Sequence, residues 1–240
     1  MSEKKVPSTP LPATTVLLLR PKNPDDASSP VEVFMVVRHH KIDSFSGALV
    51  FPGGKLENAD ADPRLRARCT GADGIPDAEL AFRVAGIREA FEECGFLLAM
   101  KRGATALIGA TELKPIEDRW REKLAKDYAS IVDMVEAEDL VLAVDCMTPF
   151  AHWITPAMVP KRFDTWFFVA SAPVDQVALH DGSESVDSVW IEPLLGVAEA
   201  DAGKRTMVFP TRQNVLMLGE ARTVAEAIAQ AKARRIVDVL

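Results

Sequence analysis

The chain has 240 residues, of which 48% are hydrophobic and 26% charged, an ordinary composition for a globular protein with one large domain or two small ones. The formal net charge of −7 and the lack of a basic run argue against a polyanionic nucleic acid as partner. No apolar stretch approaches the roughly 18 residues of a membrane span, and three scattered cysteines without ligand spacing favour a reducing compartment, so we expect a cytoplasmic protein that does not enter a membrane.

Local patterns predict the secondary structure in chain order. Polar residues and prolines predict a disordered lead at 1–11. Runs of β-branched residues then predict strands at 14–19, 31–38 and 48–51. Helical periodicity predicts two helices, at 78–94 and 115–138. The remaining predicted elements are strands at 150–154, 165–170 and 188–191 and helices at 211–220 and 224–235. Because strands and helices alternate without a regular βαβ rhythm, this order favours an α+β fold.

The helix predicted at 78–94 has an apolar side and an acidic side. The apolar side is a core-facing stripe at helical spacing, formed by Leu80, Val84, Ile87, Phe91 and Cys94. Glu89, Glu92 and Glu93 fall on the other side, where like charges one turn apart weaken a helix by a few tenths of a kcal/mol per pair. A Mg²⁺ or Mn²⁺ ion would turn this repulsion into binding, since hard cations prefer carboxylate oxygens. A solvated acidic face is the alternative for these acids taken alone.

Glycines lie on both sides of the acidic helix. Upstream, Phe51-Pro52-Gly53-Gly54 predicts a tight turn whose backbone can approach a metal or phosphate closely. Downstream, Gly95 predicts the helix end, and Asp77 is the predicted N-cap. A glycine turn followed by a helix that crowds acids onto one side favours a divalent-cation site for phosphate chemistry.

These segments resemble the signature of the Nudix hydrolases. The family pattern is a glycine, five residues, a glutamate, seven residues, and then Arg-Glu, an aliphatic residue, any residue, Glu-Glu, any residue, a glycine and an aliphatic residue. Gly54 begins the pattern and residues 88–96, REAFEECGF, complete it. Asp60 stands where the first glutamate is expected, and the gap that follows, 61–87, has 27 residues, which is 20 more than the pattern. Within this gap, 61–77 predicts a surface loop that can include one short helix.

The resemblance implies a fold as well as a signature. That fold is a Nudix-type α/β/α sandwich with a mixed β-sheet, formed here by residues 12–240 as a single domain. A helical insertion at about 113–140 and extra C-terminal helices would be additions to it. In the longer predicted helix, apolar residues recur at helical spacing and either pack on the domain or form a lid: Trp120, Leu124, Tyr128, Ile131 and Val135.

The resemblance also implies roles for the residues of the box. Mg²⁺ or Mn²⁺ would be held by Glu89, Glu92, Glu93 and Gly54. The three glutamates would be catalytic, and Arg88 would orient a carboxylate through a bidentate ion pair. Gly53 and Gly54 would let the backbone contact the substrate closely. The implied reaction is hydrolysis of a diphosphate linkage by metal-assisted attack of water.

One branch of the family matches further. The position of the insertion, together with RFDTWFF at 162–168 shortly after WITP at 153–156, resembles the peroxisomal-type coenzyme A diphosphatases and their bacterial relatives. The implied substrate is coenzyme A or an acyl-coenzyme A, cleaved to 3′,5′-ADP and (acyl-)phosphopantetheine. Arg38 and Gly47 fit the spacing of a substrate-binding motif of other coenzyme A-specific Nudix enzymes, whereas Asp43 stands where its second arginine is expected.

Two alternatives to this function remain open. ADP-ribose, a nucleotide sugar or a dinucleotide such as NADH could be the substrate, since the sequence does not place the residues that separate them. A Nudix-fold sensor that binds a nucleotide without cleaving it is the non-enzymatic alternative, against which the complete acidic box argues. In each case the partner is a small phosphorylated molecule, and a homodimer is possible.

Acids and histidines outside the box are further candidates. Glu184 is the first choice for an additional catalytic acid, followed by Asp187 and then Asp145, with a solvated charge as the alternative for each. No ligand spacing connects the four histidines, which we expect at the surface or satisfied in the core: His39, His40, His152 and His180. Of these, His39 is the nearest in sequence to the expected site.

Cations and aromatic residues complete the predicted site. Arg162, with Lys161 beside it, is a candidate for binding a substrate phosphate, although exposed loop cations often bind nothing. Trp153 is the candidate for stacking on an adenine ring. Phe163 and Trp166 lie on or beside predicted strands, where core packing is the expected role.

Overall fold

A computed structural model describes residues 8–38, 47–176 and 185–239, without the side chains of 185 and 186. In these parts of the chain the strands are β1 Leu11–Pro21, β2 Val31–Arg38, β3 Ala48–Val50, β4 Gly53–Lys55, β5 Ala99–Lys101, β6 Leu140–Leu142, β7 Thr148–Ile154, β8 Phe163–Ser171, β9 Ser185–Ile191, β10 Thr206–Met207 and β11 Asp238–Val239. The α-helices are α1 Asp77–Cys94, α2 Ala110–Ala125, α3 Ile131–Ala137, α4 Pro193–Asp201, α5 Phe209–Leu218 and α6 Val224–Ala233.

Nine of the described strands form one mixed sheet. The strand order is β10-β3-β2-β1-β8-β7-β11, with β4 also paired to β1 and β9 also paired to β2. The pairs β1–β8, β3–β10 and β7–β11 are parallel, and the other pairs are antiparallel. The strands β5 and β6 form a separate antiparallel pair.

Strand residues alternate between two buried faces of the sheet. In β1, Val16 and Leu18 belong to the core on one face, whereas Leu17 and Leu19 belong to the core on the other. The helices α1, α2 and α3 contribute to the first core, and α4, α5 and α6 contribute to the second. Because helices cover both faces, the sheet is the middle layer of an α/β/α sandwich, which confirms the predicted α+β fold.

The first strand is longer than predicted. Its parallel pairing with β8 starts at Leu11 and runs to Leu19, so Leu11 belongs to the sheet and the prediction that it ends a disordered lead is wrong. Ser8 also contacts the protein, since its hydroxyl donates to the carbonyl oxygen of Pro160. Residues 1–7 of the predicted lead lie outside the described residues. The interpretation of 12–240 as a single domain stays a prediction.

The long helix predicted at 115–138 is two helices, so the prediction of one continuous helix is wrong. The chain leaves α2 after Ala125, Asp127 adopts a left-handed conformation with φ 56°, and α3 begins after Ser130. The Ser130 side chain accepts from the backbone N–H of Asp133 and so caps α3. Tyr128, predicted on the apolar stripe, is 78% exposed in this linker.

The insertion inside the box contributes to the core. The insertion starts with the 3-10 helix Pro63–Arg68, directly after the 3-10 helix Asn58–Ala61, which agrees with the short helix allowed in the predicted loop. Leu65 is buried in the first core together with Ala72. Residues 61–77 are therefore more than a surface loop. The helix α4 and the short strands β5, β6, β10 and β11 were not predicted.

No helix in the described ranges is both long enough and apolar enough to cross a membrane.

Candidate active site

The acidic helix α1 carries the predicted site on a partly buried surface. Every residue of the predicted apolar stripe is buried. The helix begins at Asp77 with Pro76 as its N-cap, so the prediction of Asp77 as N-cap is off by one residue. It ends at Gly95, whose φ of +76° is the left-handed conformation typical of a helix C-cap. The acidic side is not a solvated face, because Glu89 is buried beside Arg88, which is 1% exposed.

Arg88 is the centre of a charge cluster that joins the two halves of the split box. Its Nε and Nη2 atoms donate to the two carboxylate oxygens of Asp60, at 2.9 and 3.0 Å. Its Nη1 atom donates to Glu89 Oε1 at 2.9 Å and to Glu92 Oε1 at 3.2 Å, and it lies 3.3 Å from Glu57 Oε1. Such bidentate, charge-assisted contacts fix the orientation of both partners. The predicted bidentate role of Arg88 therefore has a geometric basis.

Asp60 occupies the place of the first acid of the box despite the insertion after it. It lies in the 3-10 helix Asn58–Ala61, is 2% exposed, and accepts a 2.8 Å hydrogen bond from the backbone N–H of Glu57. The sequence signal for Asp60 was its position after Gly54. Its pairing with Arg88 was not predicted, because the gap between the two residues is longer than in the family pattern. No comparable pattern singles out Glu57, which sequence reasoning missed.

The glycine turn packs directly on the acids. A Cβ atom at Gly54 would lie 2.4 Å from Glu89 Oε1, and one at Gly53 would lie 2.3 Å from the carbonyl oxygen of Thr14. The backbone N–H of Gly53 donates to Glu93 Oε2 at 3.2 Å. Since β4 pairs with β1, the sheet holds this turn against α1. The structure thus brings the predicted residues Gly53, Gly54 and Glu93 together with the Arg88 cluster.

The acids of the cluster outnumber its cation. Burial, opposed by Arg88 and assisted by the charge of Glu89, raises the pKa of Glu92 to about 7. Burial likewise raises the pKa of Glu57, with repulsion from Asp60 and Asp127 adding to the effect and Arg88 opposing it.

The pKa of Arg88 is also raised by this cluster. Burial alone would lower it, but the hydrogen bond to Asp60 and the charges of Glu89 and Glu92 raise it above its ordinary value. Arg88 therefore stays charged, and the cluster keeps an excess of negative charge.

This donor set fits a divalent cation in charge and in chemistry. It consists of carboxylate oxygens, which hard cations prefer, beside a turn whose backbone is accessible. Across the described ranges, however, no three acidic, histidine or cysteine side chains converge as a ready-made metal site. Glu89 and Glu92 point to Arg88, whereas Glu93 points to the Gly53 N–H. Holding one cation with all three glutamates therefore requires at least one of these side chains to rotate.

Two predicted substrate-binding residues lie apart from this cluster. Trp153 packs on the core of the opposite sheet face, where its Nε1 donates to Asn214 Oδ1 at 3.3 Å and its ring meets Phe209 edge-on with centroids 5.9 Å apart. Arg162, in the β7–β8 hairpin, donates through Nε to the carbonyl of Thr155 and through Nη1 to that of Ser8. Their substrate-binding roles stay predictions.

Arg38 is the last residue of β2 and precedes residues 39–46, which the structure does not describe. The guanidinium Nε is buried and has no hydrogen-bond partner among the described residues. Arg38 is partly buried, and its substrate-binding role also stays a prediction.

Several other candidates lie outside the described residues or away from α1. The undescribed candidates are Glu184, His39, His40, Asp43 and His180. Asp187 is exposed on β9, where it pairs with Val37 of β2. Asp145 accepts from the Thr70 hydroxyl at the edge of the insertion. Neither residue contacts the Arg88 cluster in any described interaction.

The described histidine is satisfied within the fold, as expected. His152 Nδ1 lies 2.7 Å from Asp238 Oδ1, its Nε2 contacts Asp164, and its ring stacks on Trp166 with centroids 4.4 Å apart. Trp166 packs against the first core, which agrees with the predicted packing role. The Lys161 Nζ lies 5.5 Å from the ring centroid of Phe163.

The fold and the site define the class of protein. A crystal structure of a NUDIX hydrolase from Alicyclobacillus acidocaldarius superposes with a TM-score of 0.72 and 21% sequence identity, over 92% of this chain and 96% of that chain. A profile of the NUDT19 Nudix domain matches residues 65–210. The chain belongs to the Nudix hydrolases, within the family of the NUDT19 Nudix domain.

Curated relatives agree with this assignment. The acyl-coenzyme A diphosphatase NUDT19 of Xenopus laevis is 23% identical over 209 residues, which cover 71% of this chain and 55% of the relative. The putative nudix hydrolase 7 of Caenorhabditis elegans is 26% identical over 190 residues, which cover 79% of this chain and 56% of the relative. The chain therefore spans about half the length of these curated relatives.

Proposed function

We propose that this Nudix hydrolase cleaves the diphosphate linkage of a nucleoside diphosphate derivative, with coenzyme A or an acyl-coenzyme A as the favoured substrate. The products would be 3′,5′-ADP and phosphopantetheine or its acyl form. The observation that carries the reaction type is the Arg88 cluster, in which Asp60, Glu89 and Glu92 surround one buried guanidinium beside the glycine turn. The name of the relative in Xenopus laevis supports the choice of substrate.

Each side chain of the cluster has a distinct task. Asp60 fixes the plane of the Arg88 guanidinium, and Arg88 in turn holds Glu89 and Glu92 next to the turn. The missing side chain at Gly54 leaves the space that Glu89 occupies. The backbone N–H of Gly53 orients Glu93. Together these contacts would hold the carboxylates close to the turn before substrate arrives, so that rotation of a side chain, without a change of the backbone, would complete the proposed metal site.

We infer that Mg²⁺ or Mn²⁺ binds to Glu89, Glu92 and Glu93, with the backbone of Gly54 nearby. A bound divalent cation would offset the charge of the diphosphate and make water a better nucleophile. Glu92 favours such a site, because burial and the neighbouring Glu89 destabilise its ionised form in the metal-free protein. Glu184 remains our proposal for the additional catalytic acid.

Further parts of the proposal concern partners and location. The net charge of −7 supports a small-molecule substrate over a nucleic acid. The odd number and scatter of Cys69, Cys94 and Cys146 in the sequence support a reducing, cytoplasmic location. A homodimer is compatible with the same proposal.

A substrate panel tests the proposal. Purified protein with Mg²⁺ or Mn²⁺ would be offered coenzyme A, an acyl-coenzyme A, ADP-ribose and NADH, and the products would be separated by chromatography. We expect coenzyme A or its acyl form to give the highest kcat/KM, with release of 3′,5′-ADP. A higher kcat/KM with ADP-ribose or NADH would instead favour the alternative dinucleotide or ADP-ribose pyrophosphatase.

The same assay separates an enzyme from a nucleotide sensor. Glu92→Gln and Glu93→Gln should each lower kcat strongly, because each removes a charge from the proposed metal site. Glu79→Gln is the matched control, since Glu79 lies on the same helix but pairs with Arg83 instead of Arg88. Unchanged turnover in the two site variants would remove the acidic helix from the mechanism.

A further inference from the structure

The insertion helix α2 is bonded to the end of the acidic helix by one arginine. Arg121 Nε donates to the carbonyl oxygen of Glu92 at 2.8 Å, and its Nη2 donates to the carbonyl oxygen of Glu93 at 2.9 Å. The remaining nitrogen, Nη1, donates to Glu117 Oε1 at 2.7 Å one turn earlier on α2. The Arg121 side chain is 14% exposed, so solvent screens these contacts only weakly.

Both carbonyls belong to the last turn of α1. The last four carbonyl groups of an α-helix have no N–H donor within the helix. At the end of α1, the N–H of Gly95 bonds to the carbonyl of Phe91, and the N–H of Phe96 bonds to the carbonyl of Ala90. Glu92 and Glu93 follow in the chain, and their carbonyls accept from Arg121 instead.

The glycine that ends α1 also makes room for this contact. A Cβ atom at Gly95 would lie 3.3 Å from Arg121 Nη1 and 3.2 Å from Glu117 Oε1, which is tight packing. A positive charge at a helix C-terminus is favourable, because the helix dipole places partial negative charge there. The sequence of α2 is therefore matched to the end of α1 in both shape and charge.

Glu92 and Glu93, whose carbonyls accept hydrogen bonds from Arg121, also carry carboxylates of the proposed metal site. The guanidinium sets the main-chain position of Glu92 and Glu93, while Arg88 and the Gly53 N–H orient their carboxylates. The carboxylate and the carbonyl of each glutamate are thus held by different elements. The next helix, α3, contacts the insertion inside the box, since the Glu136 carboxylate accepts from Arg64 Nη1 at 3.1 Å.

We propose that Arg121 is a positioning residue for the hydrolytic site, through which the α2–α3 insertion fixes the acidic end of α1. This inference rests on the proposed function, in which Glu92 and Glu93 bind the metal. The hydrogen bonds from Arg121 to Glu92 and Glu93 described above go to main-chain carbonyl oxygens. Loss of Arg121 therefore acts through the backbone of α1.

The test compares Arg121→Ala with Arg119→Ala. Arg119 lies two residues earlier on α2 and binds Glu138 instead of α1, so its variant also removes an ion pair that anchors α2. We expect Arg121→Ala to lower kcat roughly tenfold to a hundredfold and to raise the Mn²⁺ concentration for half-maximal rate, because small displacements of catalytic groups are costly. Arg119→Ala should stay within about twofold of the wild type on both measures. Equal effects of the two variants, or a wild-type kcat for Arg121→Ala, would overturn the proposal.

A conservative variant of Arg121 gives a second test of the proposal. Arg121→Lys keeps the charge but loses the planar fork, so its kcat should lie between those of the wild type and Arg121→Ala. If Arg121→Ala does not fold, the comparison of Arg121→Lys with Arg119→Ala decides, and a kcat for Arg121→Lys equal to the control overturns the proposal.

Calorimetry with Mn²⁺ alone separates this inference from the proposed function. If the wild type cleaves no diphosphate but binds Mn²⁺, weaker binding by Arg121→Ala than by Arg119→Ala supports the positioning role, and equal binding rejects it. A wild type that neither cleaves nor binds Mn²⁺ rejects both proposals.

Discussion

At the scale of single residues, the planar shape of Arg88 explains how one cation can organise several acids. One edge of its guanidinium bonds both oxygens of Asp60, and the remaining nitrogen contacts Glu89 and Glu92. A lysine offers a compact charge without this fixed fork and could not keep both sets of contacts. Changes to any one acid should therefore be felt by the others.

Replacement of Asp60 should destabilise the fold as well as the site. In Asp60→Ala, the buried guanidinium of Arg88 loses the partner of two hydrogen bonds, which costs about 3 kcal/mol in similar buried pairs. The free energy of unfolding from urea titration measures this loss. Asp62→Ala is the control, because Asp62 pairs with Arg64 at the surface, and its effect should be much smaller. A loss for Asp60→Ala no larger than for Asp62→Ala would contradict the buried pairing.

Ionisation of Glu92 should lower the stability of the metal-free protein. Its pKa in the folded state is about 7, above the ordinary value of 4.5, so the folded state binds the proton more tightly than the unfolded state. The contribution of Glu92 to the free energy of unfolding is therefore largest below pH 4.5 and is lost as the pH rises to 7. Because each pKa unit corresponds to about 1.4 kcal/mol, the loss above pH 7 is about 3 to 4 kcal/mol.

Glu92→Gln removes this ionisation and gives the measurement. In EDTA at pH 8 the variant should have the higher unfolding free energy, whereas near pH 5 the two proteins should be similar. The comparison is made by denaturant titration at each pH. A difference that does not depend on pH would be inconsistent with a raised pKa at Glu92.

Sequence reasoning at this scale identified the residues of the contiguous motif. Arg88, Glu89, Glu92 and Glu93 follow one another at helical spacing, so their common surface can be predicted without knowing the rest of the fold. The partnership of Asp60 with Arg88 depends on how residues 61–87 fold back, which no local pattern encodes. Arg121 was missed for the same reason, because its acceptors are main-chain atoms of another element.

At the scale of elements, the sequence predicted periodic segments well and interruptions poorly. The strand predicted at 31–38 coincides with β2, since six of its eight residues are buried and five are valine or phenylalanine. The break between α2 and α3 was missed because Leu124, Tyr128 and Ile131 keep a helical spacing across it. The decisive feature is the left-handed backbone of Asp127, a conformation that aspartate adopts more readily than most residues.

The 3-10 segment of the insertion should prove necessary for stability. Leu65 lies in the first core, so Leu65→Ala should lower the free energy of unfolding by about 2 to 4 kcal/mol, as for other buried leucines. Leu194→Ala is a matched control, because Leu194 on α4 is more than half exposed. Denaturant titration of both variants provides the comparison. Equal, small effects would mean that the insertion only decorates the surface.

At the scale of the whole molecule, the glycine turn, the acidic helix and the insertion form a single unit with the sheet. The turn pairs with β1, the central strand of the sheet, and α1 packs on the face of the sheet that carries the first core. A ligand that binds this unit and not the unfolded chain must stabilise the fold. Thermal unfolding can therefore report metal binding without any substrate.

Divalent cations should raise the melting temperature. At a Mn²⁺ concentration a hundredfold above its Kd, binding adds about 2.7 kcal/mol, which corresponds to roughly 5–10 °C for a chain of this size. EDTA should reverse the shift, and Glu93→Gln should reduce it, whereas Glu79→Gln should leave it in place. Differential scanning calorimetry measures each case. A shift in Glu93→Gln as large as in the wild type would exclude Glu93 from the metal site.

The ion pair between Asp60 and Arg88 closes a loop, and the entropic cost of closing this loop depends only weakly on its length. Loop-closure entropy grows only with the logarithm of length, so 27 intervening residues in place of seven add about 1 kcal/mol. The burial of Leu65 alone is enough to offset this amount. The gap between Asp60 and Arg88 can therefore accept new sequence at little thermodynamic cost while the Arg88 cluster keeps its contacts. This makes it a suitable place for evolution, or for an engineer, to add a new surface next to the proposed site.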